Sequence, residues 1–346
     1  TAKTDRETYQ AMEGFVHNLN TMHSRAGAQT PFSSINYGTD TSPEGRMAIR
    51  NILLAEDAGL GHGETPIFPI HIFKVKEGVN YNPGDPNYDL FELSCKVSAK
   101  RLFPNYVFLD SPFNLQYYKP GHPETEVATM GCRTRVMGNV YDPERQIAYS
   151  RGNLSFTSIN LPRLAIESHG DEALFYKKLD DMLELVAQQL LDRFEIQASK
   201  RVYNYPFLMG QGVWLDSDKL GPNDEVREVL KHGTLSIGFI GLAETLTALY
   251  GHHHGESDEM QQKGLQIVKY MRDYCDRKSQ EMKMNFTLLA TPAEGLSGRF
   301  IRMAKSATAT SRASPTATIT PTRSTSRCGL TSPPTTRSTR RRLTTR

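Results

Sequence analysis

Apolar residues recur at near-3.6 spacing across Asp171–Phe194, at Leu174, Phe175, Leu179, Met182, Leu183, Val186, Leu190 and Leu191. This pattern predicts a long helix with one face that must be buried. Such a helix needs a broad apolar surface to lie against, and the chain carries the pieces of one. TPIFPIHIFKV (65–75), YVFLD (106–110) and NLSFTSINL (153–161) are rich in β-branched and aromatic residues and read as strands, as do PFSSINYG (31–38) and residues 146–150. A further helix is expected over 6–22, with Met12, Phe15, Val16 and Leu19 on one side. Another runs from Ser257, an N-cap followed by Asp258 and Glu259, to Met282. Proline and glycine mark 80–88 as a loop. Strands alternating with long helices predict an α/β architecture around a buried sheet.

The last 43 residues are of another kind. Residues 304–346 hold twenty Ser or Thr, nine Lys or Arg, three large aliphatics and no acid. Such a segment cannot bury enough apolar surface to offset its ordering entropy, so a disordered basic tail is expected. A shift of reading frame near Lys305 would account for it. A DNA string encoding SATATSRASPTATITPTRSTSRCGL, read one base earlier, also encodes KRYGHIAGVTDRDYYTNSFHVPVRLD, which has acids, aromatics and strand-like alternation. Without the tail's nine cations the formal charge falls from +3 to −6. The bulk of the chain is therefore mildly acidic, and no nucleic-acid partner is expected. No apolar run approaches the roughly 18 residues of a membrane span, and no signal-peptide pattern opens the sequence. Four scattered cysteines without a CxxC argue against a disulfide framework and against a metal site in this chain. A reducing cytoplasm is the expected compartment.

The segment most charged with chemistry is ATMGCRTRVMGN (128–139), followed by SRGNLSFTSINLPR (150–163). Gly131 permits a tight turn beside Cys132, and Arg133 and Arg135 would favour a thiolate and attract phosphate. The residues alone leave two readings of Cys132 open, a reactive thiol or a buried, inert one. Asn153 is equally open, as an active-site amide or a turn residue before a strand. ATPAEGLSG (290–298) exposes backbone N–H groups that can line an anion, with hydroxyls on Thr291 and Ser297. His252, His253 and His254 are consecutive, cannot share a helix face, and read as a solvated turn. Cys275 falls at helical spacing from Leu265 and Val268 and reads as core. Cys95 reads as structural, Cys328 lies in the aberrant tail, and Trp214 is assigned no chemistry.

Across residues 7–303 the chain resembles the anaerobic (class III) ribonucleoside-triphosphate reductases. The runs that carry the resemblance include FVHNLNTMHSRAGAQTPFSSINYG, ETPIFPIHIFKVKEGVNY, NPGDPNYDLFELSCKVSAKRLFPNYVFLD, ATMGCRTRV, RGNLSFTSINLPRLA, HGTLSIGFIGLAETL and ATPAEGLSGRF. The resemblance implies part of a ten-stranded α/β barrel, of the ribonucleotide reductase and pyruvate formate-lyase type, over residues 1–303. A finger loop inside that barrel would carry the radical cysteine. By position in the motif Cys132 is that cysteine and Asn153 the active-site asparagine. Thr291, Gly295 and Ser297 occupy the place of the substrate-phosphate loop, while Arg25, Ser33 and Ser34, near the first barrel strand, are candidate substrate contacts. Gly238 and Gly241 would allow close packing.

The implied activity is radical reduction of ribonucleoside triphosphates to 2′-deoxyribonucleoside triphosphates, in a homodimer with ATP or dNTP effectors. A glycyl radical would be installed by a radical-SAM iron–sulfur activating protein. The family's Arg-x-x-Gly-Tyr-type glycine loop and four-cysteine zinc site do not occur in this sequence. The chain by itself is thus expected to be inactive, a fragment of a longer catalytic protein. A non-catalytic truncated product is the alternative. A formate-lyase-like acyltransferase fits less well, because Cys132 has no cysteine beside it.

Overall fold

A computed structural model describes residues 1–23, 29–131 and 134–310, with the backbone alone at 294 and 304–310. The expectations for Arg25, Cys132, Arg133 and the 311–346 tail lie outside the described residues. The chain divides into two compact units, Thr1–Asn153 with Ser199–Gly233, and Leu154–Ala198 with Thr234–Arg346.

In the first unit, α1 (Ala2–Thr21) begins where the Thr1 side chain accepts a hydrogen bond from the Thr4 amide. The chain then alternates β1 (Ser34–Tyr37), α2 (Pro43–Ala58), β2 (Ile70–Val75), α3 (Tyr88–Arg101) and β3 (Asn105–Phe108). The three strands form one parallel sheet in the order β1-β2-β3, with the helices as crossovers. Central β2 is apolar toward both faces, as a strand covered on both sides must be. Phe73 and Val75 pack with Ile49 and Leu53 of α2 and Leu90 and Val97 of α3. Ile70 and Ile72 pack with Phe68, Val107, Leu109 and Val127. Ser42 caps α2 ahead of Pro43 at the first helical position. At its far end Arg101 donates to the carbonyls of Asp57 and Ala58, which have no partner inside the helix. Loop 80–88 is tied down by Asn80 and Asn87, buried side chains that both donate to Gly38 O. A short antiparallel hairpin follows, β4 (Thr129–Met130) with β5 (Thr134–Arg135).

Residues 146–150 form no strand, contrary to the pattern of their sequence. The Ala148 amide donates to Glu124 O and the Arg151 guanidinium to Ile147 O, so a turn and a side chain satisfy this backbone in place of a neighbouring strand. Trp214 is buried in the same unit, its indole N–H donating to Val229 O at 2.7 Å. Cys95 lies on the exposed side of α3, not in packed structure.

The second unit holds β6 (Asn153–Asn160), α4 (Leu161–Ile166), α5 (Glu172–Ala198), β7 (Thr234–Ile240), α6 (Leu242–Tyr250), α7 (Asp258–Met282), β8 (Asn285–Ala290) and α8 (Glu294–Thr310). Its sheet runs β6-β7-β8, with β7 and β8 parallel from Thr234↔Asn285 to Phe239↔Ala290. Along α5 the expected stripe is buried at Phe175, Leu179, Leu183, Val186 and Leu190, while Leu174 faces out. Ser257 caps α7 as its position predicts. Cys275 is buried there, but its companions are Ile267 and Met271; Leu265 is exposed. Residues 290–298 are less of a loop than their composition suggests. The helix α8 starts at Glu294, so Gly295 and Ser297 sit in its first turn. The three histidines lie in the turn between α6 and α7, where His252 and His253 both contact Glu256. Among the described residues no group of three potential ligands could hold a metal ion, and no helix is long and apolar enough to cross a membrane.

Candidate active site

Alternation along β1 divides its four residues between two faces. Ile35 and Tyr37 turn toward α1 and α2 and pack against Val16, Ile52 and Ala55. On that side the Tyr37 hydroxyl bonds His71 Nδ1 at 2.8 Å, with the buried Glu56 carboxylate 3.4 Å from His71 Nε2. Burial, with Glu56 nearby, holds the Tyr37 hydroxyl well above the usual phenol range, so it stays protonated. Ser34 and Asn36 leave by the opposite face, and there they meet the β4–β5 hairpin. The Asn36 amide donates to Thr129 O and its carbonyl accepts from the Thr129 N–H, both at 2.9 Å. Ser34 Oγ accepts from the Gly131 N–H at 3.0 Å. Gly131 has φ +55°, a conformation side chains rarely adopt, and a Cβ there would touch the Phe32 ring. Phe32 in turn lies edge-on to Phe68. Three residues, 131–133, join the last hairpin pair Met130↔Thr134, so Cys132 is the middle residue of that connection.

Downstream, Arg135 bonds Asn114 and stacks over the Phe113 ring. Desolvation lowers its pKa from the ordinary guanidinium value. The irregular stretch up to Asn153 is fixed by a buried polar network. Arg151 donates to the carbonyls of His232, Ile147 and Gly138 at 2.8–2.9 Å. Burial pulls its pKa down to about 10, which leaves it charged at neutral pH. His232 Nδ1 faces the Asn139 amide at 3.1 Å, and Nε2 faces Asp216 at 3.0 Å. Because the Asn139 amide nitrogen can only donate, Nδ1 accepts and Nε2 carries the proton given to Asp216. Arg145 grips Asp216 through two bonds, with Lys219 also close, and holds that carboxyl far below the usual carboxylate range. The network is satisfied around Gly152, which lies against Trp214, and leads directly to Asn153, the exposed first residue of β6.

The second unit, taken by itself, carries a face of hydroxyls. Leu235, Ile237 and Phe239 alternate along β7 with Thr234, Ser236 and Gly238. On the latter face Ser236 Oγ is 2.9 Å from Thr287 Oγ1, and Ser158 Oγ is 2.7 Å from Thr291 Oγ1. Gly238 makes room for the second pair, since a Cβ there would fall 2.6 Å from Ser158 Oγ and closer still to Thr291 Oγ1. Gly241 similarly accommodates Pro162. Thr291 is buried, and its amide donates to Phe239 O, extending the ladder one step past β8. Ala293, at φ +56°, turns the chain into α8, whose first turn holds Gly295 in open space and a half-buried Ser297.

The structure thus brings Ser34 to the hairpin tip, leaves Ser33 Oγ donating to Pro31 O, and places Thr291 against Ser158. Asn36, Arg151 and Ser158 were not singled out by sequence. Only Asn36 carried a signal, its period-2 relation to Ser34.

A family model described as anaerobic ribonucleoside-triphosphate reductase matches residues 1–315. The chain belongs to that family. Among relatives of anaerobic ribonucleoside-triphosphate reductases it is 35% identical to the Escherichia coli enzyme over 308 residues, covering 87% of this chain and 42% of the relative. It is 30% identical to the enzyme of Enterobacteria phage T4 over 309 residues, covering 87% and 48%. The chain therefore spans under half the length of these two reductases. The fold agrees with the anaerobic ribonucleotide reductase of Thermotoga maritima. Its complex with dATP and CTP superposes with a TM-score of 0.58 at 15% identity, over 89% of this chain and 49% of that one. The form with citrate in the active site gives 0.56 at 16%, over 88% and 53%.

Proposed function

We propose that the protein to which this chain contributes reduces ribonucleoside triphosphates to 2′-deoxyribonucleoside triphosphates, with Cys132 as the hydrogen-abstracting residue. The observation that carries this reading is the hairpin: Cys132 is the centre of a three-residue connection whose first residue is bonded to β1. A glycyl radical, generated by a radical-SAM iron–sulfur partner, supplies the one-electron oxidation that converts the thiol to a thiyl. The thiyl takes a hydrogen atom from the ribose 3′ carbon, leaving a thiol and a carbon radical. The 2′-hydroxyl takes up a proton and departs as water. Formate or a dithiol supplies two electrons and the hydrogen that replaces it on the 2′ carbon, leaving as carbon dioxide or a disulfide. The thiol then returns its hydrogen to the 3′ carbon and is again a thiyl. Displacing sulfur and sugar by an ångström would be costly, so the anchors of the hairpin matter.

Asn153 offers an amide to the sugar or the reductant. Ser33 and Ser34 serve the substrate from the β1 side, and Arg25, a few residues earlier in the sequence, is a further candidate contact. Ser34 Oγ, already accepting from Gly131, keeps its own O–H to donate. Thr291 braces the entry to α8, and the first turn around Gly295 presents backbone N–H groups toward phosphate, while the Ser297 amide donates to Ala293 O and leaves only its hydroxyl for that role. A homodimer regulated by ATP or dNTP, in the cytoplasm, completes the reading. No step uses a zinc site. The test is Cys132→Ser in the complete, anaerobically activated protein: glycyl-radical signal retained, nucleotide reduction lost. Full turnover in that variant would refute the assignment.

A further inference from the structure

Most side chains of β1 have an evident packing role, but Asn36 does not. It is exposed, belongs to no core cluster, and yet satisfies both backbone groups of Thr129, 93 residues further on. Two residues earlier on the same face, Ser34 bonds the Gly131 amide. Residues two apart on β1 therefore meet residues two apart, Thr129 of β4 and Gly131 just past it, in reverse order. This is the logic of an antiparallel ladder, with side chains standing in for one of the two backbones. β4 needs such help. Its own ladder consists of two pairs with β5, and an isolated two-stranded hairpin is marginal in water. The platform beneath is firm, because Ile35 and Tyr37 lock the other face of β1 into the core. The last rung, at Gly131, precedes Cys132 by one residue, about 3.8 Å of chain.

We propose that Asn36 is a positioning residue, with Ser34 as the second rung, that sets where the residue-132 sulfur stands; this rests on the catalytic reading of Cys132. Asn36 touches neither the sulfur nor the sugar in this account. It acts through the backbone of Thr129, so an Asn is required for its paired donor and acceptor, and neither Asp nor Leu reproduces both.

The experiment reads amide hydrogen exchange at single-residue resolution on the chain, and turnover in the complete activated enzyme. In Asn36→Ala the Thr129 amide should exchange roughly five- to thirty-fold faster, the range expected for the loss of one to two hydrogen bonds. Exchange in β2 and β7 should not change, which separates a local release from global destabilisation. Asn36→Asp should keep protection at Thr129, because a carboxylate still accepts its N–H, yet fail to restore the bond to Thr129 O. Ser34→Ala should expose the Gly131 amide and Ser34→Thr should protect it again. In the activated enzyme Asn36→Ala should lower kcat at least about ten-fold with KM within about two-fold, the signature of lost alignment rather than lost binding. Unchanged exchange at Thr129 in Asn36→Ala would overturn the proposal, and so would faster exchange with kcat unaltered. Turnover surviving Cys132→Ser would instead overturn the catalytic reading, while leaving the exchange results as they stand.

Discussion

Gly238→Ala tests whether the hydroxyl face of the second sheet is as tightly built as its geometry states. The new methyl would lie 2.6 Å from Ser158 Oγ, nearer still to Thr291 Oγ1, and 3.3 Å from the Ser158 Cα. The hydroxyls can retreat only by abandoning their 2.7 Å bond, and Thr291 is buried, so its oxygen has no solvent to turn to. Overpacking costs about 1–3 kcal/mol, and a buried hydroxyl left without its partner costs about another 1–3 kcal/mol. Against this, replacing glycine by alanine removes about 0.4–1 kcal/mol of unfolded-state entropy. The expected net loss is about 2–4 kcal/mol, a large part of the stability of an ordinary domain. Urea unfolding followed by circular dichroism measures it. Thr291→Ala removes the nearest oxygen, so the double variant should be more stable than the two single losses add up to, by at least about 1 kcal/mol. A Gly238→Ala protein within about 0.5 kcal/mol of the parent, or strictly additive losses, would show that the strands part easily and that the reasoning is wrong.

Two further outcomes follow from the polar groups. Desolvation first of all depresses the His232 pKa below its ordinary 6.5, so the unfolded chain binds that proton more readily than the folded one. Stability from this group is fully present above about pH 6.5 and is lost as the pH falls from there through the folded value. Asp216, depressed mainly by Arg145, adds a second loss that begins as the pH falls to the ordinary carboxylate value and continues toward the lower folded one. Trp214 fluorescence should therefore report a fall in the urea midpoint between pH 7 and 5 that is absent in His232→Gln; a midpoint flat with pH in the parent would contradict the buried-imidazole account. Burial pushes the Cys275 thiol up to about 12, whereas Cys95 is exposed. At pH 8 iodoacetamide should label Cys95 well before Cys275, by peptide mass spectrometry, and equal rates would contradict the burial of Cys275.

The elements that periodicity predicts are those with clean stripes. α5 and α7 bury one face each, and β2 is apolar enough to be recognised without alternation. Helices α2 and α3 are harder to see because their buried faces include polar residues. Asn51 and Glu56 interrupt the apolar spacing of α2, and Ser94 and Arg101 that of α3. Residues 146–150 look like a strand because composition reports a preference for extended backbone and says nothing of whether a partner strand is available. The site divides in the same way. Cys132 and Asn153 stand out through ordered motif blocks, since those blocks are local. The role of Asn36 depends on a contact 93 residues away, and that of Ser158 on one 133 residues away. No local pattern encodes either distance.

Arg151 reaches the main chain at three places and no side chain at any of them. Carbonyl oxygens are common to all twenty amino acids, so this guanidinium specifies a path without specifying the residues that follow it. Between Gly138 and Ile147 the chain is thereby released from the usual demand that shape be written in apolar side chains. Exchanges at its solvent-facing positions can accumulate while the route from the hairpin to Asn153 keeps its course, provided Arg151 and the polar anchors Asn139 and Arg145 stay where they are.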